Sequence, residues 1–172
     1  HSDEIIFTSG GTEANGLALE GADRSARMSG IEKPHLIISS IEHSSIIEVA
    51  NMMEKHGVEV TRLPVDASGI ISLGELKKVL KPNTYLVSIM TINNETGSIQ
   101  PIREIAEAVI SFRKTHGRPI PLVHTDACQA AAYLPLSTSE LSVDLMTLNG
   151  GKIYGPKGVG TLFIKKGVNL VP

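Results

Sequence analysis

The chain has 172 residues, of which 41% are hydrophobic and 20% charged, with 16 basic and 18 acidic side chains. This length suits one domain, and the composition is that of a globular protein with a real hydrophobic core. The near balance of charge, without a run of like charge, argues against nucleic acid or an anionic membrane as a partner. No apolar stretch approaches the roughly 20 residues of a membrane span, so we expect a soluble intracellular protein.

The chain has one cysteine, Cys128, which excludes an internal disulfide and a zinc site built from cysteines alone. A single cysteine also fits a reducing compartment. No pair among the six histidines has the spacing of metal ligands, so we predict no metal site.

Short runs rich in Ile, Val and Leu alternate with segments of helical period along the chain. In chain order, the predicted strands cover residues 4–9, 35–40, 59–63, 85–90, 121–125, 145–149 and 159–164. The predicted helices cover residues 12–27, 45–56, 73–80 and 102–116. Strands with little polar alternation are buried on both faces, so the pattern predicts an α/β fold of three layers, a mainly parallel sheet with helices on both faces. No repeat or linker divides residues 1–172, which we interpret as one domain.

In open sheets of this kind, ligands bind beyond the carboxyl ends of the strands. Residues 9–13, Ser-Gly-Gly-Thr-Glu, follow the first strand and open a helix, so Gly11 and Thr12 are candidates for a phosphate cradle. A plain strand-to-helix turn is the alternative. The segment is neither a P-loop nor a G-x-G-x-x-G fingerprint, which makes a nucleotide-binding Rossmann protein a distant alternative.

Two further strand ends carry polar side chains. His43 follows the second strand, where an imidazole could stack on an aromatic cofactor and move a proton, although a lone histidine is more often structural. Ser44 or Ser45 could cap the helix that follows. Asn94, after the fourth strand, could donate to a ligand oxygen, or its segment could form an Asx turn.

The ends of the fifth and sixth predicted strands supply a carboxylate and an amine. Asp126, with Gln129 on the next turn, could pair with a protonated pyridine nitrogen, and Lys152 in a glycine-rich loop could form a Schiff base. Together they predict a site for pyridoxal 5'-phosphate, with the lysine in a desolvated setting. The alternatives are a helix-capping Asp126 and a surface lysine, such as Lys157.

Taken in order, these segments resemble the cysteine desulfurase and selenocysteine lyase family, a branch of the class-V aminotransferases of fold type I. The resemblance runs nearly from end to end. It rests on residues 5–13 (IIFTSGGTE), 41–43 (IEH), 93–97 (NNETG), 123–127 (VHTDA), 143–146 (VDLM) and 152–158 (KIYGPKG). The Asn-Asn-Glu turn and the Gly-Pro-Lys-Gly ending resemble the desulfurases that supply sulfur for iron–sulfur clusters and tRNA thiolation.

The resemblance implies a role for each matching residue. Lys152 would hold the cofactor and then move the α-proton of the substrate, Asp126 would pair with the ring nitrogen, and His43 would stack on the ring and act in proton transfer. These three are the implied catalytic residues. The implied cofactor-binding residues are Gly11, Thr12, Asn94, Asp126, Gln129, Asn149, Gly151 and Lys152.

The implied reaction converts L-cysteine to L-alanine and leaves the sulfur as a persulfide on an enzyme cysteine. The family usually has Ser-x-His directly before the lysine, where this chain has Asn149, Gly150 and Gly151. Its persulfide cysteine lies well downstream of the lysine, so Cys128 is not in that place. We therefore expect residues 1–172 to be the pyridoxal phosphate-binding large domain of a longer protein, without the N-terminal segment and the small C-terminal domain, and inactive alone.

Several expectations about partners follow from the resemblance. The substrate would be L-cysteine or selenocysteine, the sulfur would pass to an acceptor protein, and the full-length protein would be a homodimer of the cytoplasm or, in a eukaryote, of the mitochondrial matrix. Selenocysteine lyase or another class-V reaction is one alternative. A catalytically incompetent domain that serves as a binding or scaffold module is another.

Overall fold

The computed structural model describes residues 1–171. Seven strands and five helices follow one another along the chain. The strands are β1 (Ile5–Thr8), β2 (His35–Ser39), β3 (Glu59–Leu63), β4 (Thr84–Ser88), β5 (Leu122–Asp126), β6 (Leu145–Asn149) and β7 (Gly160–Ile164). The helices are α1 (Gly11–Met28), α2 (Ser44–Lys55), α3 (Leu73–Val79), α4 (Ile102–His116) and the short α5 (Thr138–Leu141), with single 3-10 turns at Ser2–Glu4 and Gly150–Lys152.

The strands form one mainly parallel sheet in the order β1-β7-β6-β5-β4-β2-β3. Only β7 is antiparallel to its neighbours, and it pairs with both β1 and β6. The carboxyl ends of the other strands therefore meet at one edge of the sheet. The first residue of β7, Gly160, lies at this edge, opposite Thr8 and Asn149.

Helices cover both faces of the sheet, which confirms the predicted three-layer α/β fold. On one face α1 and α2 pack their small and branched residues, such as Ala18 and Ile46, against Leu36 and Leu86. On the other face α3 and α4 pack against Ile37, Val87 and Val123. Successive residues of β2 thus belong to opposite cores, as expected for a strand that is buried on both sides.

The predicted elements are all present, with shifts of one or two residues at their ends. The four-residue helix α5 was not predicted, because a single turn carries too little period to be read from sequence. Ser72 caps α3 and accepts a hydrogen bond from the Glu75 amide, and Gly117 ends α4 in the left-handed conformation. None of the helices within residues 1–171 is long and apolar enough to cross a membrane.

Candidate functional site

The predicted site residues converge at the carboxyl edge of the sheet, around a small cavity of about 80 Å³. The cavity adjoins a more open groove of about 500 Å³, with which it shares Gly11, Thr12, Asn149 and Lys152. Of the predicted site residues, the cavity is lined by Gly11, Thr12, His43, Asn94, Asp126, Gln129, Asn149 and Lys152, whereas Gly151 lies in the groove. A groove of about 480 Å³ near Tyr85 contains Asp144, but that carboxylate is already paired with Arg113.

The glycine-rich segment after β1 forms a tight start to α1. A Cβ atom on Gly11 would lie 2.7 Å from Cys128 Sγ and 3.7 Å from Asn149 Nδ2, so a side chain there would require Cys128 to move. A Cβ atom on Gly160 would lie 2.5 Å from the carbonyl carbon of Gly10. Position 160 must therefore be glycine for β7 to pack this closely against the segment. The first amides of the 18-residue helix α1 and the Thr12 hydroxyl are thereby available to an anion.

Asp126 is the last residue of β5 and is 7% exposed. Its Oδ1 accepts a hydrogen bond from the Cys128 amide at 2.9 Å, and its Oδ2 accepts one from Asn15 Nδ2 at 2.7 Å. The bond to Cys128 closes a local turn, and no α-helix begins here, so the helix-capping interpretation of Asp126 is wrong. Both oxygens act as acceptors, as those of an ionised carboxylate do.

Asn15 was not among the predicted residues, although it lines the cavity one turn after Gly11. Its amide group donates to Asp126 and, at 2.8 Å, to Ser45 Oγ, and its own Oδ1 is buried without a hydrogen-bond partner among residues 1–171. Asn15 lies 111 residues from Asp126 in the sequence, which is why no local motif indicates the contact. The spacing of four residues from Gly11 was the available signal, since it places both on one face of a helix.

His43 is the N-cap residue of α2, so the prediction that Ser44 or Ser45 would cap this helix is wrong. The imidazole takes the capping role because its Nδ1 accepts the Ser45 amide proton at 3.1 Å. Ser45 Oγ lies 2.9 Å from the same nitrogen. The ring is exposed and lines the cavity, so it is held at one nitrogen and open at the other side.

Glu42, directly before His43, is buried and was not singled out from the sequence. Its carboxyl group accepts hydrogen bonds from Ser39 Oγ at 2.5 Å and from the Met90 amide at 3.0 Å, which ties the end of β2 to the segment after β4. Burial raises the pKa of Glu42 to about 8, and the charge of Asp126 adds to the rise. The Cys128 thiol, beside Asp126, is also deprotonated with difficulty, because burial raises its pKa, as is usual for an inert cysteine.

Two neighbouring asparagines follow β4, and one forms a turn while the other lines the cavity. Asn93 is buried and builds the turn: its Oδ1 accepts from the amides of Glu95 and Thr96, and its Nδ2 donates to the Ile41 carbonyl. Asn94 is exposed and lines the cavity. Asn93 therefore positions the loop, and Asn94 is free to contact a ligand.

Lys152 lies in the 3-10 turn that follows β6 and lines both the cavity and the groove. Asn149 caps this turn by accepting the Gly151 amide proton at 3.0 Å. The expected desolvation of Lys152 is wrong for this chain: the side chain is exposed, as are most residues up to Val159. The loop is made of backbone turns with little side-chain cover, and Tyr154 at its tip is 97% exposed.

Comparisons with known proteins agree on one family. The family model described as Aminotransferase class-V matches residues 1–171. Cysteine desulfurase IscS of Dictyoglomus turgidum is 43% identical over 171 residues, covering 99% of this chain and 41% of the relative. The human protein named cysteine desulfurase is 46% identical over 163 residues, covering 95% of this chain and 34% of that protein.

Solved structures show the same relationship. A NifS-like protein superposes with a TM-score of 0.91 at 36% identity, over 100% of this chain and 45% of its own length. A structure described as SspA in complex with cysteine gives a TM-score of 0.87 at 38% identity, over 100% of this chain and 47% of that one. The chain thus spans less than half the length of these relatives. It belongs to the class-V aminotransferase family, and the predicted resemblance to its cysteine desulfurase branch is confirmed.

Proposed function

We propose that this chain forms the pyridoxal phosphate-binding part of a cysteine desulfurase. The observation that carries the proposal is the buried carboxylate of Asp126, which faces the same cavity as the glycine cradle at Gly11 and the amine of Lys152. These groups suit an elongated ligand with a cationic ring at one end and a phosphate at the other. The cysteine desulfurase names of the relatives support the choice of reaction.

The residues present fit this cofactor. Asp126 would pair with the ring nitrogen, Thr12 and the first amides of α1 would hold the phosphate, and Lys152 would supply the amine for attachment. Glycine at position 11 lets α1 begin in close contact with Cys128 and Asn149, at the end of the cavity where the phosphate would bind. When bound, pyridoxal phosphate supplies an electron sink for reactions at the α-carbon of an amino acid.

Other residues around the cavity would hold and orient the ligand. Asp126 is held in place by Asn15 and Cys128 before any ligand arrives, so little reorganisation is required when the ring binds. Asn94 and Gln129 offer amides to oxygen atoms of the ligand, and Asn149 lies beside the cradle. Lys152 would be the group that moves the α-proton of the substrate.

The cofactor proposal is tested by adding pyridoxal phosphate to the intact protein and reducing with borohydride. We expect an absorption band at a longer wavelength than the absorption of the protein itself. After reduction and digestion, we expect a covalent adduct on Lys152. Lys157, which lines the same groove, provides the matched control: Lys152→Ala should abolish the adduct and Lys157→Ala should retain it. An adduct on Lys157, or none, contradicts the proposal.

The substrate and the partners belong to the same proposal. We expect the intact protein to convert L-cysteine to L-alanine, to pass the sulfur to an acceptor protein and to form a homodimer in the cytoplasm or the mitochondrial matrix. The neighbouring structure with cysteine and the relatives with mitochondrial in their names support this assignment. Release of alanine from selenocysteine but not from cysteine would instead indicate a selenocysteine lyase.

A further inference from the structure

The residues that hold Asp126 and His43 form one continuous chain of hydrogen bonds. Asn15 Nδ2 lies 2.7 Å from Asp126 Oδ2 and 2.8 Å from Ser45 Oγ. Ser45 Oγ in turn lies 2.9 Å from His43 Nδ1. Asn15 is 1% exposed and Ser45 8% exposed, so the chain is shielded from solvent between its two ends. It links β5, α1 and α2 across the floor of the cavity.

The direction of each hydrogen bond follows from the chemistry of the groups. The Asn15 amide must turn its NH₂ towards Asp126, because its carbonyl oxygen would otherwise face a carboxylate oxygen. Ser45 Oγ then accepts the second Asn15 proton, which leaves the hydroxyl proton for His43 Nδ1. The Ser45 amide donates to the same nitrogen at 3.1 Å.

Two donors aimed at His43 Nδ1 require that this nitrogen carries a lone pair. The proton of the neutral ring therefore lies on Nε2, on the opposite side of the imidazole. Among residues 1–171, Nε2 has no hydrogen-bond partner, and the exposed ring lines the cavity. Nε2 can act as a base only in the other tautomer, which requires that Nδ1 gains a proton, that Nε2 loses its own and that the Ser45 donors to Nδ1 are lost.

We propose that Asn15 and Ser45 are positioning residues that fix His43 as the Nε2–H tautomer, so that it offers the bound ligand a hydrogen-bond donor. The ligand atom that it recognises is then an acceptor, such as the thiolate sulfur or a carboxylate oxygen of an amino-acid substrate. Because this series of hydrogen bonds begins at Asp126, the tautomer of His43 also depends on Asp126, which is the partner expected for the cofactor ring. The role towards a ligand rests on the proposed function, whereas the tautomer does not.

The tautomer is measured on the intact protein, labelled with ¹⁵N-histidine, from two-bond ¹H–¹⁵N correlation spectra. In the wild type we expect His43 with Nδ1 unprotonated and Nε2 protonated. Ser45→Ala removes one donor to Nδ1, and Asn15→Ala frees the Ser45 oxygen to accept from an Nδ1–H tautomer. Each variant should shift the ratio of tautomers by roughly fivefold, the equivalent of one ordinary hydrogen bond.

Ser44→Ala is the matched control, since Ser44 is the adjacent exposed serine and lies outside the chain of hydrogen bonds. It should leave the spectrum unchanged, and Ser45→Thr, which keeps the hydroxyl, should restore the wild-type tautomer. An Nδ1–H signal in the wild type overturns the proposal without any variant, as does an equal effect of Ser45→Ala and Ser44→Ala. Spectra with and without pyridoxal phosphate separate the two ideas, because failure to bind the cofactor contradicts the proposed function and leaves the tautomer as measured.

Discussion

The two ends of the cavity are built in opposite ways. At the Asp126 end, the functional group is buried and both of its oxygens are held by Asn15 and the Cys128 amide. At the Lys152 end, the lysine is exposed on a loop of backbone turns in which Gly151 and Gly158 carry no side chain at all. The carboxylate end is organised by this chain alone, and the lysine end is left open.

This difference separates two requirements of a cofactor site. A carboxylate that must stay ionised and fixed needs an internal network, which a single sheet edge can supply from neighbouring elements. A lysine that must exchange between a cofactor and a substrate needs freedom and, for reactivity, cover from water. Within residues 1–171 the network for the carboxylate is present, whereas cover from water for Lys152 is not.

The largest expected effect comes from Gly160, which packs against the glycine-rich segment at the start of α1. In Gly160→Val, the added side chain would meet the backbone of Gly10, because a Cβ atom there lies only 2.5 Å from its carbonyl carbon. We expect a loss of about 4 kcal/mol or more in the free energy of unfolding, or failure to fold. Urea unfolding measures it. Gly16→Ala is the control, since nothing lies within 4 Å of its Cβ position in α1 and alanine should stabilise the helix; similar behaviour of the two variants would contradict the packing of β7 against the cradle.

The second effect concerns pH and the buried carboxyl group of Glu42, whose ionisation the charge of Asp126 opposes. Burial raises the pKa of Glu42 to about 8, from 4.5 in the unfolded chain, so the folded state binds more protons between these two values. The contribution of Glu42 to stability should therefore fall by a few kcal/mol as the pH rises from about 5 to 8. The buried His35 and His124, whose pKa values burial lowers to about 4, contribute in the opposite direction below about pH 6.5, so the test is the difference between two proteins. Glu42→Gln keeps an acceptor for the Met90 amide and cannot ionise, so its unfolding free energy relative to that of the wild type should increase as the pH rises through this range. Equal slopes for wild type and variant would show that Glu42 is ionised in the fold.

A third prediction compares the two ends directly, in the absence of cofactor. Asp126→Ala leaves the buried Asn15 amide and the Cys128 amide without their acceptor and should cost about 1–3 kcal/mol in unfolding free energy. Lys152→Ala removes an exposed side chain and should change stability by less than about 0.5 kcal/mol. Urea unfolding at constant pH compares them. Equal losses would contradict the view that only the carboxylate end is internally organised.

The sequence predicted the fold and the members of the cavity better than it predicted their surroundings. Apolar runs and helical periods report burial within one element, so the order of strands and helices could be read directly, and the site residues Asp126 and Lys152 were found at strand ends. Asn15 and Glu42 were missed because the contacts that give them their roles are distant in sequence: Asn15 to Asp126 spans 111 residues, and Glu42 to Met90 spans 48. The capping of α2 by His43 was missed for a related reason: an imidazole is an uncommon cap, and serines at the next two positions are common ones.

The smallest expected effect comes from a substitution at Gly151, which tests whether one added side chain improves cofactor binding at the Lys152 end. A Cβ atom at Gly151 would have Asn149 Oδ1 at 3.5 Å, an ordinary contact, and its backbone does not require glycine. Gly151→His would place an imidazole directly before Lys152, beside the groove that contains Thr12 and Lys157. One hydrogen bond to a phosphate oxygen is worth roughly 1.5–3 kcal/mol when charge-assisted and less on an exposed loop, so we expect pyridoxal phosphate to bind up to about tenfold more tightly. Titration of the cofactor absorption band gives the dissociation constant, and Gly151→Ala separates the imidazole from the stiffening of the loop. If Gly151→Ala tightens cofactor binding as much as Gly151→His, then flexibility of the loop limits binding at the lysine end. If neither variant tightens binding, then the missing cover from water limits it, and a side chain at position 151 does not supply that cover.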